Sequence, residues 1–226
     1  MISLIVTDIE GTTSSINFVH EVLFPYASKH LESFVLHNQK DPELRKQLDE
    51  TANIAGLASS DTSAIITQLL QWIADDQKIT PLKAIQGMVW RQGYSSNDFK
   101  GHIYEDAYEA LNTWKKSGLK LHVYSSGSVA AQKLLFGHTK FGDLNTLFSD
   151  NFDTLIGGKK ETSSYIAIIE QLNEAAHKIL FLSDIIEELD AAKEAGMQTY
   201  WLIREGDLPL QSKHRTAKSF SDITFD

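Results

Sequence analysis

The stretch LIVTDIEGT, from Leu4 to Thr12, decides the fold of this chain of 226 residues. Its first residues are apolar and partly β-branched, which predicts a short, fully buried strand. The strand delivers Asp8 to its own carboxyl end, Glu10 follows two residues later, and Gly11 allows the backbone to turn away. Open α/β sheets bind ligands at this edge, and carboxylates are costly to bury there without a role.

After this strand, from about residue 18 to residue 93, the chain shows only helical signals. Asp41 stands before Pro42, which is typical of a capped helix start, and Asp61 precedes another apolar helical face. From about residue 106 the pattern alternates between helices and strands, and the predicted strands cover residues 119–124, 152–156, 179–182 and 199–203. Such alternation predicts a parallel sheet with right-handed crossovers.

We therefore expect a Rossmann-like α/β core built from residues 1–14 and 100–226. Residues 15–99 would form a helical domain inserted after the first strand. An insertion at this point is expected to act as a cap above the carboxyl edge of the sheet, where Asp8 and Glu10 lie.

The composition limits the partners. With 21 Lys and Arg against 30 Asp and Glu, the formal net charge is −9, which argues against nucleic acid and anionic membranes. The chain has no cysteine, so disulfides and thiolate chemistry are excluded. It shows no leader-like segment and no apolar run of the roughly 20 residues that span a bilayer. We expect a cytoplasmic, monomeric protein.

Three further segments end apolar runs with polar residues. Ser125 and Ser126 follow a strand, where serine hydroxyls and helix-start N–H groups can hold phosphoryl oxygens, although serines at such a position are more often simple helix caps. Lys159 and Lys160 follow two glycines, and one lysine of such a pair can neutralise a phosphate. Asp184 ends the most apolar strand and offers the hard oxygen ligand that Mg²⁺ prefers.

These segments, in this order, resemble the haloacid dehalogenase superfamily of phosphohydrolases, with Glu10 in place of the usual second aspartate. The chain more specifically resembles the acireductone synthases, the bifunctional enolase-phosphatases of methionine salvage. The stretches that carry this resemblance are Asp8–Thr13, Leu23–Tyr26, Gln86–Gly87, Trp90–Arg91, Tyr124–Val129, Gln132–Gly137 and Phe181–Asp184.

The resemblance implies a function and a set of site residues. The substrate would be a small phosphorylated diketone, 2,3-diketo-5-methylthiopentyl-1-phosphate, which is first enolised and then dephosphorylated to the acireductone. One Mg²⁺ per chain would be held by Asp8, Glu10 and Asp184, where Glu10 could act through its backbone carbonyl. Ser125, Ser126 and Lys159 would bind substrate.

Asp8 is expected to be the nucleophile. The base for enolisation stays open between Glu10 and Lys159, and Glu188 is a candidate for a supporting position outside the metal shell. Two other functions also remain open. One is a simple phosphatase of the same superfamily, acting on a sugar phosphate or phosphoglycolate. The other is a catalytically inactive relative that binds phosphorylated ligands.

Overall fold

The computed structural model describes residues 1–225 of the chain. It divides into two compact units: Met1–Ile16 together with the chain from Gly101 onward, and Asn17–Lys100. Each unit has its own apolar core. No helix among the described residues is both long and apolar enough to cross a membrane.

The unit Asn17–Lys100 is helical throughout its regular structure. A short turn, α1 (Ile16–Phe18), leads through a π-helical segment (Val19–Leu23) into α2 (Phe24–Asn38), α3 (Pro42–Ala55), α4 (Thr62–Ala74) and α5 (Thr80–Ser95). Asp41 and Asp61 cap α3 and α4 as predicted, because their carboxylates accept hydrogen bonds from backbone N–H groups of the first turn. The unit's core is fully buried at Leu31, Leu48, Leu69 and Ile85.

The other unit contains a six-stranded sheet. Its strands are β1 (Leu4–Thr7), β2 (Lys120–Tyr124), β3 (Phe148–Phe152), β4 (Ile179–Ser183), β5 (Gln198–Leu202) and β6 (Arg215–Ala217). They lie in the order β3-β2-β1-β4-β5-β6, and every neighbouring pair is parallel. The crossover helices are α6 (Glu105–Lys116), α7 (Val129–Gly137), α8 (Thr162–Leu172) and α9 (Ile186–Glu194). This topology confirms the predicted α/β fold class.

The strand that opens the chain is the key to the site. All four residues of β1 are buried, and β1 pairs with β2 on one side and with β4 on the other. The chain continues outward from β1 in both directions, so the strand order reverses beside it. Ligand sites of open α/β sheets lie at such a reversal, outside the carboxyl ends of the strands.

Two predictions about the sheet were wrong. The strand expected at residues 152–156 is β3 at Phe148–Phe152, and β6 was not expected at all. The centre of β3 is polar and its Ser149 and Asp150 are exposed, so it lacks the apolar run that marks a buried strand. β6 is a three-residue edge strand, too short to give a pattern.

Candidate active site

Asp8 is held at the end of β1 by the backbone on both sides. Its N–H still donates to Leu182 O of the neighbouring strand at 2.9 Å, and its carbonyl accepts from the Thr13 hydroxyl at 3.2 Å. Between these points the chain turns at Gly11, whose φ of +72° lies in the left-handed region. The side chain of Asp8 is therefore fixed and buried at the carboxyl edge of the sheet.

Lys159 meets Asp8 there. Its ammonium Nζ lies 2.5 Å from Asp8 Oδ1 and 2.8 Å from Glu188 Oε2, and all three side chains are less than a tenth exposed. Burial opposes the charge on Lys159, but the two carboxylates outweigh it and raise the pKa of its ammonium above the usual value. Lys159 is thus a buried cation between two carboxylates, and the three residues come from distant positions in the chain.

The loop that delivers Lys159 is anchored through three consecutive backbone carbonyls. Those of Gly157, Gly158 and Lys159 each accept a hydrogen bond from a hydroxyl. The donors are, in order, Tyr124 at 2.9 Å, Ser164 at 2.8 Å and Tyr165 at 2.6 Å. Gly157 is required here because a Cβ at this position would lie 2.2 Å from Ser164 Oγ. The lysine is positioned by its backbone as well as by its ion pairs.

Asp184 follows β4 and packs against the turn after β1. A Cβ on Gly11 would lie 2.2 Å from Asp184 Oδ2, so only glycine leaves room for this carboxylate. Thr12 Oγ1 donates to Asp184 Oδ1 at 3.5 Å. Burial, reinforced by the charge of Asp8, raises the pKa of Asp184 to about 6.

Glu188 belongs to the same cluster. Besides Lys159, its carboxylate accepts from Ser183 Oγ at 2.9 Å, so the end of β4 and the first turn of α9 are joined through it. Burial, again reinforced by Asp8, raises the pKa of Glu188 to about 7. Two buried carboxylates, Asp8 and Glu188, therefore flank one buried ammonium, and with the half-buried Asp184 the cluster carries an excess of negative charge.

Ser125 and Ser126 leave the end of β2 next to β1. Ser125 is buried and its hydroxyl accepts from Gly127 N–H at 3.3 Å, whereas Ser126 is exposed. Ser128 caps α7 by accepting from Ala131 N–H. The pair therefore precedes the N-terminus of a nine-residue helix, where backbone N–H groups and hydroxyls favour an anion.

The remaining predicted residues have different surroundings. Glu10 is half-buried within the turn after β1, where its backbone forms a bridge with Ser14. Lys160 is 63% exposed and pairs with the equally exposed Glu187 at 3.2 Å. Of the two adjacent lysines, only Lys159 reaches Asp8.

The oxygen donors fit Mg²⁺. Among residues 1–225, no three His, Asp or Glu side chains are gathered so that they alone could hold a metal. Asp8 is a buried carboxylate and Asp184 a half-buried one, and their charges interact. Mg²⁺ is typically bound by one or two carboxylates and keeps several waters, and a divalent cation would offset the negative charge of the cluster.

Sequence reasoning did not place two parts of this arrangement. The role of Glu188 was left open and its contact with Lys159 was not foreseen, although its position four residues after Asp184, in the first turn of a helix, is a usable signal. The hydroxyl anchors of the Lys159 loop had no signal except the spacing of Tyr165, six residues after the lysine.

The fold and this site define a class of protein. Residues 2–196 match the model of the haloacid dehalogenase-like hydrolases. The chain is 52% identical to the enolase-phosphatase E1 of Hahella chejuensis, over 98% of this chain and 95% of the relative. It is 54% identical to that of Marinobacter nauticus, over 99% and 97% respectively. The chain belongs to the haloacid dehalogenase-like hydrolases and, within them, to the enolase-phosphatase family.

A solved structure has the same fold. The crystal structure of the UTR4 protein from Saccharomyces cerevisiae matches with a TM-score of 0.82 and 33% identity, and covers 99% of this chain and all of that one. The family model and the two named relatives confirm the predicted family and the predicted phosphatase class of enzyme.

Proposed function

We propose that this phosphatase is a bifunctional enolase-phosphatase of methionine salvage. Its substrate would be 2,3-diketo-5-methylthiopentyl-1-phosphate, and its products 1,2-dihydroxy-3-keto-5-methylthiopentene and phosphate. The observation that carries the proposal is the identity of 52–54% with proteins named enolase-phosphatase E1, which extends over almost the whole chain, the helical unit included.

The dephosphorylation step is assigned to Asp8. One of its carboxylate oxygens attacks phosphorus, and the bond between phosphorus and the substrate's C1 oxygen breaks. The leaving oxygen takes up a proton, for which Glu10 is our candidate donor. Water then hydrolyses the aspartyl-phosphate and releases phosphate. The burial of Asp8 against a cation supports this role, because the cation stabilises the charge that gathers at phosphorus.

Lys159 and the two serines are assigned to phosphate binding. The ammonium of Lys159 is held between two carboxylates, which suits a fixed positive charge better than a proton acceptor. Ser125 and Ser126 would hold phosphoryl oxygens with the N–H groups that begin α7. Of the two bases considered for enolisation, Glu10 is therefore favoured.

Mg²⁺ is proposed as the cofactor, one per chain. Asp8 and Asp184 would supply carboxylate oxygens, and Glu10 its backbone carbonyl. When bound, the ion would neutralise phosphoryl charge beside Lys159.

We also propose that the helical unit serves as a cap that selects the substrate, and that the protein is a cytoplasmic monomer without nucleic-acid or membrane partners. The net charge of −9 supports the absence of polyanionic partners.

The test follows both half-reactions in one sample. The diketone phosphate is added with Mg²⁺, and the ultraviolet absorbance of the enol is recorded beside free phosphate. We expect both signals from the parent protein and neither after chelation. Phosphate without an enol signal would indicate a simple phosphatase, and failure to hydrolyse any phosphomonoester would indicate a binding protein.

The variant Asp8→Asn separates the two steps. Asparagine keeps the shape of the side chain but is a poor nucleophile, so phosphate release should fall by roughly 10³-fold. At high Mg²⁺ some enol phosphate should accumulate. Asp150→Asn, on the exposed part of β3, is the matched control and should behave like the parent. Phosphate release by Asp8→Asn close to the parent rate would remove Asp8 from the nucleophile role.

A further inference from the structure

Arg204 lies at the same edge of the sheet but has no part in the chemistry proposed above. It follows β5 by two residues, and its guanidinium is nearly buried, with a side chain only 12% exposed. Nε and Nη2 both donate to the carbonyl of Thr12, at 3.1 and 2.6 Å. This guanidinium therefore directs two charge-assisted hydrogen bonds to a single backbone carbonyl in the turn after Asp8, which indicates that the carbonyl needs to be held in place.

The guanidinium is fixed from its other sides as well. Nη1 donates to Asp106 Oδ2 at 2.7 Å, and the same oxygen accepts from Phe220 N–H at 2.7 Å. Its Cζ lies 4.1 Å from the ring centroid of Tyr104 and 5.3 Å from that of Phe220. Because the guanidinium is paired with Asp106 and stacked on two aromatic rings, it holds the Thr12 carbonyl in one place.

The position of Thr12 determines the geometry of the site. Its hydroxyl donates to Asp184, and its N–H donates to Ile9 O at 3.2 Å, which closes the turn that contains Glu10 and Gly11. The turn and Asp184 are closely packed, because a Cβ at position 11 would collide with the Asp184 carboxylate. A shift of the Thr12 peptide would move both the Asp184 carboxylate and the Glu10 carbonyl.

We propose that Arg204 is a positioning residue, which holds the Asp8–Thr12 turn in register with Asp184 through the Thr12 carbonyl. This inference rests on the proposed roles of Asp8, Glu10 and Asp184. Arginine is needed because two of its N–H groups reach one carbonyl while a third reaches Asp106. A lysine would offer a single ammonium in place of the planar fork.

The test compares Arg204→Met and Arg204→Lys with Arg215→Met. Arg215 is the matched control because it also stacks on a tyrosine, Tyr200, but donates to Thr224 instead of to the turn. Mg²⁺ binding to each protein is measured by calorimetry, and kcat and KM are measured for phosphate release from the diketone phosphate. Thermal melting reports the stability of each variant.

We expect Arg204→Met to bind Mg²⁺ about tenfold more weakly and to lose about 10- to 100-fold in kcat, with KM changed by less than about threefold. Arg204→Lys should lie between this variant and the parent, and Arg215→Met should match the parent. If Arg204→Met only melts earlier, with parental Mg²⁺ affinity and kcat, Arg204 is merely structural and the inference is wrong.

Two further outcomes are decided by the same measurements. If Arg204→Met does not fold, Arg204→Lys decides: parental Mg²⁺ affinity and kcat in the lysine variant overturn the inference, and a loss of both supports it. If the parent binds Mg²⁺ but does not turn over the diketone phosphate, the proposed substrate has failed, while the calorimetry still tests Arg204.

Discussion

Two adjacent lysines, Lys159 and Lys160, have opposite surroundings and make a matched pair of variants. Lys159 is buried against Asp8 and Glu188, whereas Lys160 is exposed beside an exposed glutamate. Lys159→Met should lower kcat/KM for phosphate release by roughly 10²–10³-fold, because it removes a fixed charge from a buried site. Lys160→Met should change it by less than about threefold, as surface ion pairs contribute little.

The stability of the same two variants provides a second test of which lysine is buried in the site. Lys159→Met leaves two buried carboxylates without their cation, and breaking a buried pair costs about 3–5 kcal/mol. Lys160→Met should melt like the parent. Activity is therefore compared at a temperature at which circular dichroism shows both proteins folded. Equal losses of activity, or the reverse order, would show that the wrong lysine has been assigned.

Residues at strand ends could be located from the sequence, and residues defined by distant contacts could not. Asp8, Ser125 and Asp184 each follow an apolar run, so the pattern alone places them at the carboxyl edge. Lys159 could be separated from Lys160 only by resemblance to a family. Arg204 reaches Thr12 across 192 positions, and nothing in the local sequence around it indicates that contact.

At the scale of single elements, β2 contains a buried histidine that should make stability depend on pH. His122 is 2% exposed, and within the described part of the chain neither ring nitrogen has a hydrogen-bond partner. Burial lowers its pKa to about 4, against about 6.5 in the unfolded chain. Between these values the unfolded chain binds more protons, so stability falls as the pH is lowered from 6.5 towards 4.

The prediction is measured as a difference between two proteins. From pH 7 to pH 5, protonation of the unfolded chain at this residue should cost on the order of 2 kcal/mol of unfolding free energy. His122→Leu removes that contribution, so its unfolding free energy in urea should fall less over the same interval. Comparing the two proteins cancels the titration of the carboxylates near Asp8. Parallel pH profiles for parent and variant would contradict the burial argument.

Elements with a local signal were predicted well. Asp41 and Asp61 cap helices because each brings a side-chain oxygen to free N–H groups, a purely local interaction. β3 was misplaced because the apolar residues after it, up to Ile156, belong to a loop. The strand itself pairs through its backbone, with polar side chains at the middle.

At the scale of the whole molecule, the two units can be tested separately. The sheet unit has its own buried core, which includes Val6, Tyr165 and Phe181. Its two chain segments on either side of the insertion are already joined, since Tyr104 N–H donates to Thr13 O and Ser15 N–H donates to His102 Nδ1, both at 3.0 Å. A short Gly-Ser linker in place of residues 17–100 should therefore let this unit fold.

The linker variant should separate chemistry from selectivity. Asp8, Lys159, Asp184 and Glu188 all lie in the sheet unit, so slow release of phosphate from a small generic phosphomonoester should remain. Turnover of the diketone phosphate should be lost, because the proposed cap is needed to select it and to shield the enol from water. Circular dichroism checks the fold, and the same deletion with Asp8→Asn corrects for contaminating phosphatases. Diketone turnover at the parent rate without the helical unit would contradict the proposed role of the cap.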